Sequence, residues 1–425
     1  MNEWIQDCSE HWNRYTFSRF LELLGDRIPL LHQLENTPQD EEWHAEGNVR
    51  VHTGMVLQEL FTHLDRTQDS YSPEQKLSLV LGALLHDIAK PLTTRQRELD
   101  GRERIVAPRH ASRGCSYLAY KLPGLGLPYE VIHQVMRLVA LHHEPKFLVI
   151  KDRAAGSYLS LASQVDSRLL AALAYADMRG RTCPDKQKQI EYIDFFKMFC
   201  QEYGVWGKNR ILEEWSQSIR EALPDFPIDF VEYTISKGFR DFCAGRIFSP
   251  EEAISRTYDL REGYPRVVLM CGPSGSGKST WCEEHFPGYE LISLDLIREE
   301  VCKSRSDQSS NQKVVQIARE RLRVCLREKK NVLWDATSLR RDFRSQVLSL
   351  STDYRAHTTL VVFQLPEEQL FQRNKAREHA VPENVLAKQL QSMEWPDERE
   401  AHRTMFIDEH GQCLRDTRRA LYNLY

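Results

Sequence analysis

The strongest constraint on the fold is a glycine-rich segment in the second half of the chain, GPSGSGKST. An apolar run, VVLMC, precedes it and a helical segment follows, as the pattern G-x-x-x-x-G-K-[ST] requires. Backbone N–H groups of such a loop surround an anionic oxygen, the lysine reaches the outer phosphates, and the hydroxyl can hold Mg²⁺. The sequence therefore predicts a site for ATP and Mg²⁺ formed by Gly272, Gly275, Gly277, Lys278, Ser279 and Thr280.

The segments around this loop predict two kinds of domain. From about Gly263 onward, the β-rich runs RVVLMC, YELISL, NVLWDA and HTTLVVFQL alternate with helical segments, which is typical of a parallel sheet with crossover helices. Earlier in the chain, apolar residues recur at three- and four-residue spacing, which predicts helices throughout. We therefore predict a multidomain protein: an all-α domain over residues 1–181, a helical connector over 182–262, and an α/β P-loop domain over 263–425.

The residues after the second predicted strand indicate where a phosphate acceptor binds. Asp295 follows YELISL and is expected at the carboxyl end of a parallel strand, where a carboxylate can accept the proton of an attacking hydroxyl. Arg298 comes one helical turn later and can hold an anion on the same side. A helix N-cap is the competing role for Asp295 alone. Together with Arg298 and the loop, the position favours catalysis.

Two later segments add to this prediction. Asp335 ends the third strand, in the position of an acid that holds the magnesium shell, and Thr337 provides a hydroxyl facing the crevice, although capping is an open alternative for both. Arg373 and Arg377 lie four residues apart in a helical segment and can neutralise charge on the transferred phosphoryl group. Ion pairs with neighbouring glutamates are the alternative for this pair.

In their order and spacing, GPSGSGKST, LDLIR, DATSL, RNKAR and VPENVL resemble the polynucleotide 5′-kinase family of phage type, over about Pro265 to Tyr425. The resemblance implies that Asp295 is the general base for a 5′-hydroxyl of RNA or DNA and that Arg298 binds the neighbouring phosphate. It also implies that Arg373 and Arg377 are lid contacts to the donor. We accordingly assign Asp295, Lys278 and Arg377 to catalysis, Arg298 and Thr337 to the acceptor, and Asp335 and Arg373 to ATP and Mg²⁺.

The first half of the chain contains a second set of residues suited to phosphate chemistry. The segments HTGMVLQEL, ALLHDIAK, APRHASRG, LHHEP and ADMRGR supply histidines and aspartates. Nitrogen and oxygen ligands without thiolates suit Mn, Fe, Co, Ni or Zn ions and favour activation of water over a structural zinc. Taken singly, a histidine is more typical of a helix surface, and we leave His44, His63 and His133 in that role.

The order H…HD…H…H…D resembles the HD phosphohydrolase superfamily. Over roughly Glu46 to Arg181, the segments are similar to the HD domain of some tRNA nucleotidyltransferases, which removes phosphate from 2′ and 2′,3′-cyclic ends. The resemblance implies that one divalent metal is held by His52, His86, Asp87 and Asp177, and that a second is served by His110 and His143. The motif favours His143 over His142, and Lys90 is placed one helical turn beyond Asp87 to bind the substrate phosphate.

Together the two halves resemble bifunctional end-healing enzymes with an HD domain fused to a polynucleotide kinase. The resemblance implies phosphorylation of 5′-hydroxyl ends and removal of 2′,3′-cyclic, 2′- or 3′-phosphates, with sealing by a separate RNA ligase. The nucleotidyltransferase head, the D-x-D-G-T phosphatase signature and the K-x-D-G ligase motif are absent from the sequence. Two alternatives stay open: a small-molecule kinase fused to a nucleotide phosphohydrolase, and an ATP-gated regulator of the HD domain.

Composition narrows the class of protein further. The net charge of -4 gives the chain no overall basic field of the kind that coats DNA. The ten cysteines are scattered without a C-x-x-C pair, which favours free thiols in a reducing compartment. Neither a leader segment nor an apolar run long enough to cross a membrane is recognisable. We predict a cytoplasmic protein whose partners are nucleic acid, with RNA implied by the resemblance, and a separate ligase.

Overall fold

The computed structural model describes residues 3–67, 70–99, 101–207, 209–302, 311–377 and 380–422. The chain forms two compact units, Met1–Leu212 and Glu213–Tyr425. The boundary between them lies inside the segment 182–262 that the sequence analysis treats as a connector, and the helix over Lys186–Glu202 packs within the first unit. The limits at 181 and 262 stay predictions.

The first unit is built mainly from helices. They are α1 (Glu3–Glu10), α2 (Phe17–Leu24), α3 (Val49–Arg66), α4 (Pro73–Leu85), α5 (Lys90–Thr93), α6 (His110–Leu118), α7 (Tyr129–Leu141), α8 (Glu144–Ile150), α9 (Ala155–Ala162), α10 (Ser167–Arg179) and α11 (Lys186–Glu202). Helix α12 (Arg210–Ala222) begins at the end of this unit. Short 3₁₀ segments cover Trp12–Arg14, Pro29–Asn36 and Leu122–Leu125.

Helix α4 lies at the centre of this unit, where α3, α7 and α10 contact it. It begins with Pro73 and a capping box between Ser72 and Gln75, which satisfies the first backbone N–H groups. Every residue from Leu77 to Leu85 is buried, as expected for a helix that is apolar on all sides. The residues that directly follow α4 are therefore held in the interior of the unit.

The predicted helical domain is confirmed, and the structure adds one β-hairpin to it. Strands β1 (Arg95–Leu99) and β2 (Arg102–Val106) pair antiparallel, with Arg97 opposite Arg104. Their sequences, RQREL and RERIV, are mostly charged and do not show the apolar alternation by which a strand is recognised. Backbone pairing between the two strands, rather than side-chain pattern, defines this element.

The second unit is an α/β fold. Helices α13 (Ile228–Cys243) and α14 (Pro250–Thr257) and a 3₁₀ segment over Tyr258–Glu262 precede its sheet. The strands are β3 (Arg266–Cys271), β4 (Glu290–Ser293), β5 (Val332–Asp335), β6 (His357–Phe363), β7 (Arg403–Ile407) and β8 (Cys413–Asp416). The helices between and after them are α15 (Lys278–His285), α16 (Leu294–Cys302), α17 (Asn311–Arg327), α18 (Arg341–Asp353), α19 (Glu367–Lys375), α20 (Glu383–Ser392) and α21 (Thr417–Tyr422), with a 3₁₀ segment over Glu398–Glu400.

The order of the strands in this sheet is β4-β5-β3-β6-β7-β8. All neighbours run parallel except β8, which runs antiparallel to β7. The predicted parallel sheet is confirmed, and β7 and β8 are added to the four strands that the sequence analysis identifies. Because β4, β5 and β3 are adjacent, the loops that follow them meet at one edge of the sheet. No helix in the described ranges combines the length and apolar character needed to cross a membrane.

Candidate active sites

A cluster of histidine and carboxylate side chains lies inside the first unit. Its members come from α3, the turn after α4, the start of α6, the turn between α7 and α8, and α10; they are His52, His86, Asp87, His110, His142, His143 and Asp177. His52, His86, Asp87, His142 and Asp177 are at most 2% exposed. The structure thus brings together the six predicted metal ligands, which the sequence spreads over more than a hundred residues.

The ligand atoms form two groups that share one carboxylate. In the first group, Nε2 of His52 lies 3.4 Å from Nε2 of His86 and 3.1 Å from Oδ1 of Asp177. In the second group, Nε2 of His110 lies 3.1 Å from Nε2 of His143 and 3.4 Å from Nε2 of His142. Ligand atoms bound about 2 Å from one ion would be separated by about 3 Å, so each group has the spacing of a metal site.

Asp87 lies between the two groups. Its Oδ2 is 3.2 Å from Nε2 of His86, and its Oδ1 is 3.1 Å from Nε2 of His110. Each oxygen of this carboxylate therefore faces a different group. A carboxylate in this position could serve as a ligand to either group.

The histidines are oriented so that Nε2 is free to bind a metal. Nδ1 of His86, His110 and His142 each lies 2.7 to 2.8 Å from the carbonyl oxygen of the residue three positions earlier and donates to it. Nδ1 of His52 lies 2.9 Å from Oε1 of Glu46. Metal-binding histidines are fixed in this way, with the second nitrogen donating to a carbonyl or carboxylate. Lone pairs that converge at short distance repel one another unless a cation lies between them, so the residues present fit divalent ions.

The protonation states also suit metal binding. Burial would raise the pKa of Asp87, but the neighbouring His86 holds that pKa well below the usual value. Burial would likewise raise the pKa of Asp177. The neighbouring Arg181, together with His52, instead lowers this pKa well below the usual value. Burial lowers the pKa of His142 to about 3. At neutral pH the carboxylates are therefore ionised and His142 is neutral, as a metal requires. Burial would lower the pKa of His86, but Asp87 raises it, so a metal would displace the proton of this histidine.

A cavity of about 490 Å³ opens beside the second group of ligands, and His110 and His143 are among its lining residues. The other lining residues include the cations Lys90, Lys146 and Arg181 and the apolar side chains Trp43, Phe147 and Ile150. Nζ of Lys146 donates to Sδ of Met178 at 3.1 Å, and burial lowers the pKa of this ammonium to about 8. Cations beside apolar rings suit a phosphate that carries an aromatic group.

In the second unit, the loop after β3 has the conformation that its glycines permit. Gly275 and Gly277 have φ of +82° and +93°, a region that side-chain-bearing residues rarely adopt. Lys278 begins α15 and is buried, with Nζ donating to the carbonyl oxygen of Pro273 at 2.8 Å. Oγ of Ser279 donates to Oδ2 of Asp335 at 3.2 Å. The hydroxyl and the carboxylate predicted to hold Mg²⁺ therefore lie side by side at the carboxyl ends of β3 and β5.

Asp295 lies in the first turn of α16, two residues beyond the end of β4. Its carboxylate is 71% exposed, and its Oδ1 accepts from Nη1 of Arg298 at 2.5 Å. Arg298 is itself buried and donates through Nη2 to Oδ1 of Asn311 at 3.1 Å. The carboxylate of Asp295 is thus open to solvent on one side and held by a buried guanidinium on the other.

A cavity of about 750 Å³ extends from Arg298 between α16, α17 and α18. Thr337 lines it, and the carbonyl oxygen of Thr337 accepts from the backbone N–H of Gly272 at 2.9 Å. Arg344 supports this segment from beneath, because its Nη1 donates to the carbonyl oxygens of Ser338 and Leu339 at 3.1 and 2.9 Å. The wall of the cavity is thus joined directly to the phosphate loop.

Two family models match parts of the chain that contain these two clusters. Residues 51–177 match the family model of the HD domain, and residues 267–396 match the AAA_33 model, described as an AAA domain. The chain carries an HD domain and a P-loop kinase-like domain.

Among solved structures, the chain matches a gluconokinase from Sinorhizobium meliloti 1021 at 24% identity, over 36% of this chain and 86% of that one, with a TM-score of 0.28. It also matches a sugar kinase from Janibacter sp. HTCC2649 at 18% identity, over 38% of this chain and 91% of that one, with a TM-score of 0.29. A search of curated proteins found no match.

Several details of the HD domain differ from the sequence analysis. Helix α4 ends at Leu85, so His86 and Asp87 lie in the turn after it rather than within a helical segment. The motif favours His143 over His142. In the structure, Nε2 of His142 also lies 3.4 Å from Nε2 of His110, which is close enough for both to bind one ion. The adjacent histidines 142 and 143 can both face one ion because they occupy the turn between two helices. Lys90 lines the cavity, and its Nζ lies 2.7 Å from Oδ2 of Asp87; its contact with a substrate phosphate stays a prediction.

Glu46 and His44 were not among the predicted site residues. Nδ1 of His44 and Nδ1 of His52 lie 2.8 and 2.9 Å from the same oxygen of Glu46. His44 is 8% exposed, which corrects its assignment to a helix surface. The backbone N–H of Thr182 donates to the second oxygen of Glu46 at 2.8 Å. Glu46 is therefore placed to orient His52, a role that no sequence motif marked.

Arg373 and Arg377 of the kinase-like domain do not share one helical face, contrary to the prediction from their spacing. Helix α19 ends at Lys375, so Arg373 lies within it and Arg377 lies beyond its end. Arg373 donates to the carbonyl oxygen of Glu409, and a Cβ added at Gly277 would lie 3.6 Å from its Nη1. Burial raises the pKa of Asp335, and the positive charge of Arg377 acts in the opposite direction. Both arginines therefore lie near the phosphate loop, although not on one face. Thr280 is exposed in the first turn of α15.

Proposed function

We propose that the chain heals the two ends of a broken nucleic acid, most directly RNA. The kinase-like domain would transfer the γ-phosphate of ATP to a 5′-hydroxyl end, and the HD domain would remove a 2′,3′-cyclic, 2′- or 3′-phosphate from the other end. Sealing is left to a separate RNA ligase. The observation that carries the proposal is the chemistry of the cavity beside Asp295.

Four arginines and Phe343 line that cavity, and no carboxylate is among the described residues that do so. A free sugar or nucleoside acceptor offers at most a few charges at one point. A strand presents a phosphate at each linkage and flat bases that can stack on an aromatic ring. Arginine-rich walls of this size are therefore better matched to a polynucleotide than to a small acceptor.

In the proposed kinase reaction, Asp295 accepts the proton of the 5′-hydroxyl as its oxygen attacks the γ-phosphorus. The bond between the γ-phosphorus and the β–γ bridging oxygen breaks, and ADP leaves. Arg298 holds the carboxylate of Asp295 and binds the phosphate on the 3′ side of the reacting nucleotide. Lys278 and Arg377 stabilise charge on the transferred group. Ser279 and Asp335 would hold Mg²⁺, which neutralises charge on the donor phosphates when bound.

In the HD domain, the two groups around Asp87 would hold one or two divalent transition metals. Such ions, when bound, supply an activated water and polarise the phosphorus–oxygen bond. Lys90, Lys146 and Arg181 line the cavity with positive charge and would bind the phosphate oxygens of the RNA end. Trp43 lines the same cavity and offers a surface on which the terminal base can stack.

The test uses a short RNA with a 5′-hydroxyl and a labelled 2′,3′-cyclic phosphate, incubated with ATP, Mg²⁺ and separately Mn²⁺, Ni²⁺ or Co²⁺. Asp295→Asn should abolish 5′ phosphorylation and leave dephosphorylation intact, whereas Asp87→Asn should do the reverse. Asp353→Asn, which changes an exposed aspartate at the end of α18, should alter neither reaction.

Either of two results would contradict this proposal and favour another function. If free sugars or nucleotides are phosphorylated while both RNA ends stay unchanged, the protein is a small-molecule kinase fused to a phosphohydrolase. If ATP binds without phosphoryl transfer and Asp295→Asn has no effect, the P-loop domain regulates the HD domain instead.

A further inference from the structure

Arg319 on α17 differs from the other arginines that line the acceptor cavity. Arg298, Arg323 and Arg340 each form an ion pair with an acidic residue two or three positions away along the chain. Arg319 forms no ion pair within the part of the chain that the structure describes, and its Nε is buried without a hydrogen-bond partner there. Among the described residues, no carboxylate therefore balances the positive charge of this guanidinium.

A buried donor without a partner is costly, since burial removes its hydrogen bond to water and supplies no replacement. Such groups are rare in folded proteins unless a ligand completes them. The complement of a guanidinium that lines an open cavity is an anion, and the planar fork of arginine matches the oxygens of a phosphate. Arg319 is therefore placed to receive a phosphate group.

The position of Arg319 along α17 indicates which phosphate this would be. Gln312, Gln316, Arg319 and Arg323 line the cavity at spacings of three and four residues, so they form one face of the helix. Arg298 is bonded to Asn311 at the start of α17, and Arg319 lies eight residues further on, about 12 Å along the helix axis. A stacked strand advances about 3.4 Å per nucleotide, so this distance corresponds to a few nucleotides.

We propose that Arg319 binds an internucleotide phosphate beyond the one held by Arg298, so that the acceptor is a single strand at least three nucleotides long. This inference rests on the proposed function of the kinase-like domain. Arg319 is a positioning residue, because it lies away from the reacting atoms. Binding a remote phosphate holds the strand so that its 5′-hydroxyl lies in line with the γ-phosphate, which raises kcat/KM for long acceptors alone.

The test compares kcat/KM for a nucleoside 3′-phosphate and for a 5′-hydroxyl RNA hexamer. Arg319→Gln should lower kcat/KM for the hexamer by about 10- to 100-fold, the loss expected for a charge-assisted hydrogen bond, and leave the nucleoside 3′-phosphate within about twofold. The salt dependence of hexamer binding should also weaken by about 0.7 in its logarithmic slope, which corresponds to one lost phosphate contact on a single strand.

Arg321→Gln is the matched control, because this arginine on the same helix is exposed and paired with Glu300 at 2.5 Å. It should leave both substrates and the salt slope unchanged. Equal use of hexamer and nucleoside 3′-phosphate by the wild type, or an equal loss for both in Arg319→Gln, would overturn the inference and leave the proposed function standing. Failure of the wild type to phosphorylate any 5′-hydroxyl acceptor would overturn both.

ATP binding reports whether each variant is folded. If Arg319→Gln loses ATP binding, Arg319→Lys takes its place, because it keeps the charge and loses the planar fork. That variant should retain a reduced preference for the hexamer, and an unchanged preference would count against the proposed contact.

Discussion

Replacing Lys146 with methionine tests whether a buried charge serves the HD domain at the expense of its stability. Lys146 is 7% exposed, and its ammonium donates to the sulfur of Met178, a weak acceptor. Burial lowers its pKa from 10.5 to about 8, and a difference of this size corresponds to about 3 kcal/mol. Because methionine fills a similar volume without the charge, Lys146→Met should raise the free energy of unfolding by about 3 kcal/mol at pH 7.

The gain should depend on pH in a defined direction. The pKa of Lys146 in the folded state lies near 8, below the unfolded value of 10.5, so the folded protein releases this proton first as pH rises. The stability of the wild type therefore increases relative to the variant between about pH 8 and pH 10.5. Below pH 8 the full advantage of the variant is present, and above pH 10.5 the part due to the charge disappears.

The assay is urea denaturation of the metal-free protein, followed by circular dichroism at pH 7 and at several values up to pH 10. Lys188→Met, at an exposed position on α11, is the control and should change the free energy of unfolding little. Hydrolysis of a 2′,3′-cyclic end should fall about 10- to 100-fold in Lys146→Met, because a charge-assisted contact to phosphate is lost. A variant that is less stable at pH 7, or whose gain does not vary with pH, would refute this account of Lys146.

Three further outcomes are expected. Gly277→Ala, at φ +93°, should weaken ATP binding at least about tenfold by calorimetry, whereas Gly288→Ala, at φ +81° in open space, carries similar strain of about 1–2 kcal/mol and should leave ATP affinity unchanged. Arg344→Met removes the ion-pair partner of Glu400, whose side chain is 9% exposed, and should cost about 3–5 kcal/mol, with loss of 5′ phosphorylation and retention of phosphate removal; unchanged stability to urea would contradict the role of this ion pair. Burial holds the pKa of His402 well below 6.5, so the unfolded chain binds a proton that the folded chain does not, and stability should fall as pH drops below about 6.5. His402→Gln should flatten that slope by up to about 1.4 kcal/mol per pH unit, and an identical slope in the variant would count against it.

The sequence alone was sufficient for features that depend on a few consecutive residues. The loop from Gly272 to Ser279 requires positive φ at Gly275 and Gly277 and an apolar strand before it, and both are local properties. The alternation of β-rich and helical runs likewise predicted the parallel sheet, and therefore the position of Asp295 after β4. The order of histidines and aspartates resembles the HD superfamily, and that resemblance implied the six metal-ligand candidates.

Only the tertiary structure decided which side chains share a site. His52 and Asp177 are 125 positions apart in sequence and 3.1 Å apart in space, and no local pattern encodes that distance. The same holds for Lys146, whose burial beside the HD cluster gives an ordinary lysine its depressed pKa. Arg319 gives no sequence signal of its own, because its significance lies in a buried Nε that has no hydrogen-bond partner among the described residues. The physical reason is that chain order determines which residues are available, whereas burial and convergence of distant segments determine which charges remain unpaired and therefore able to act.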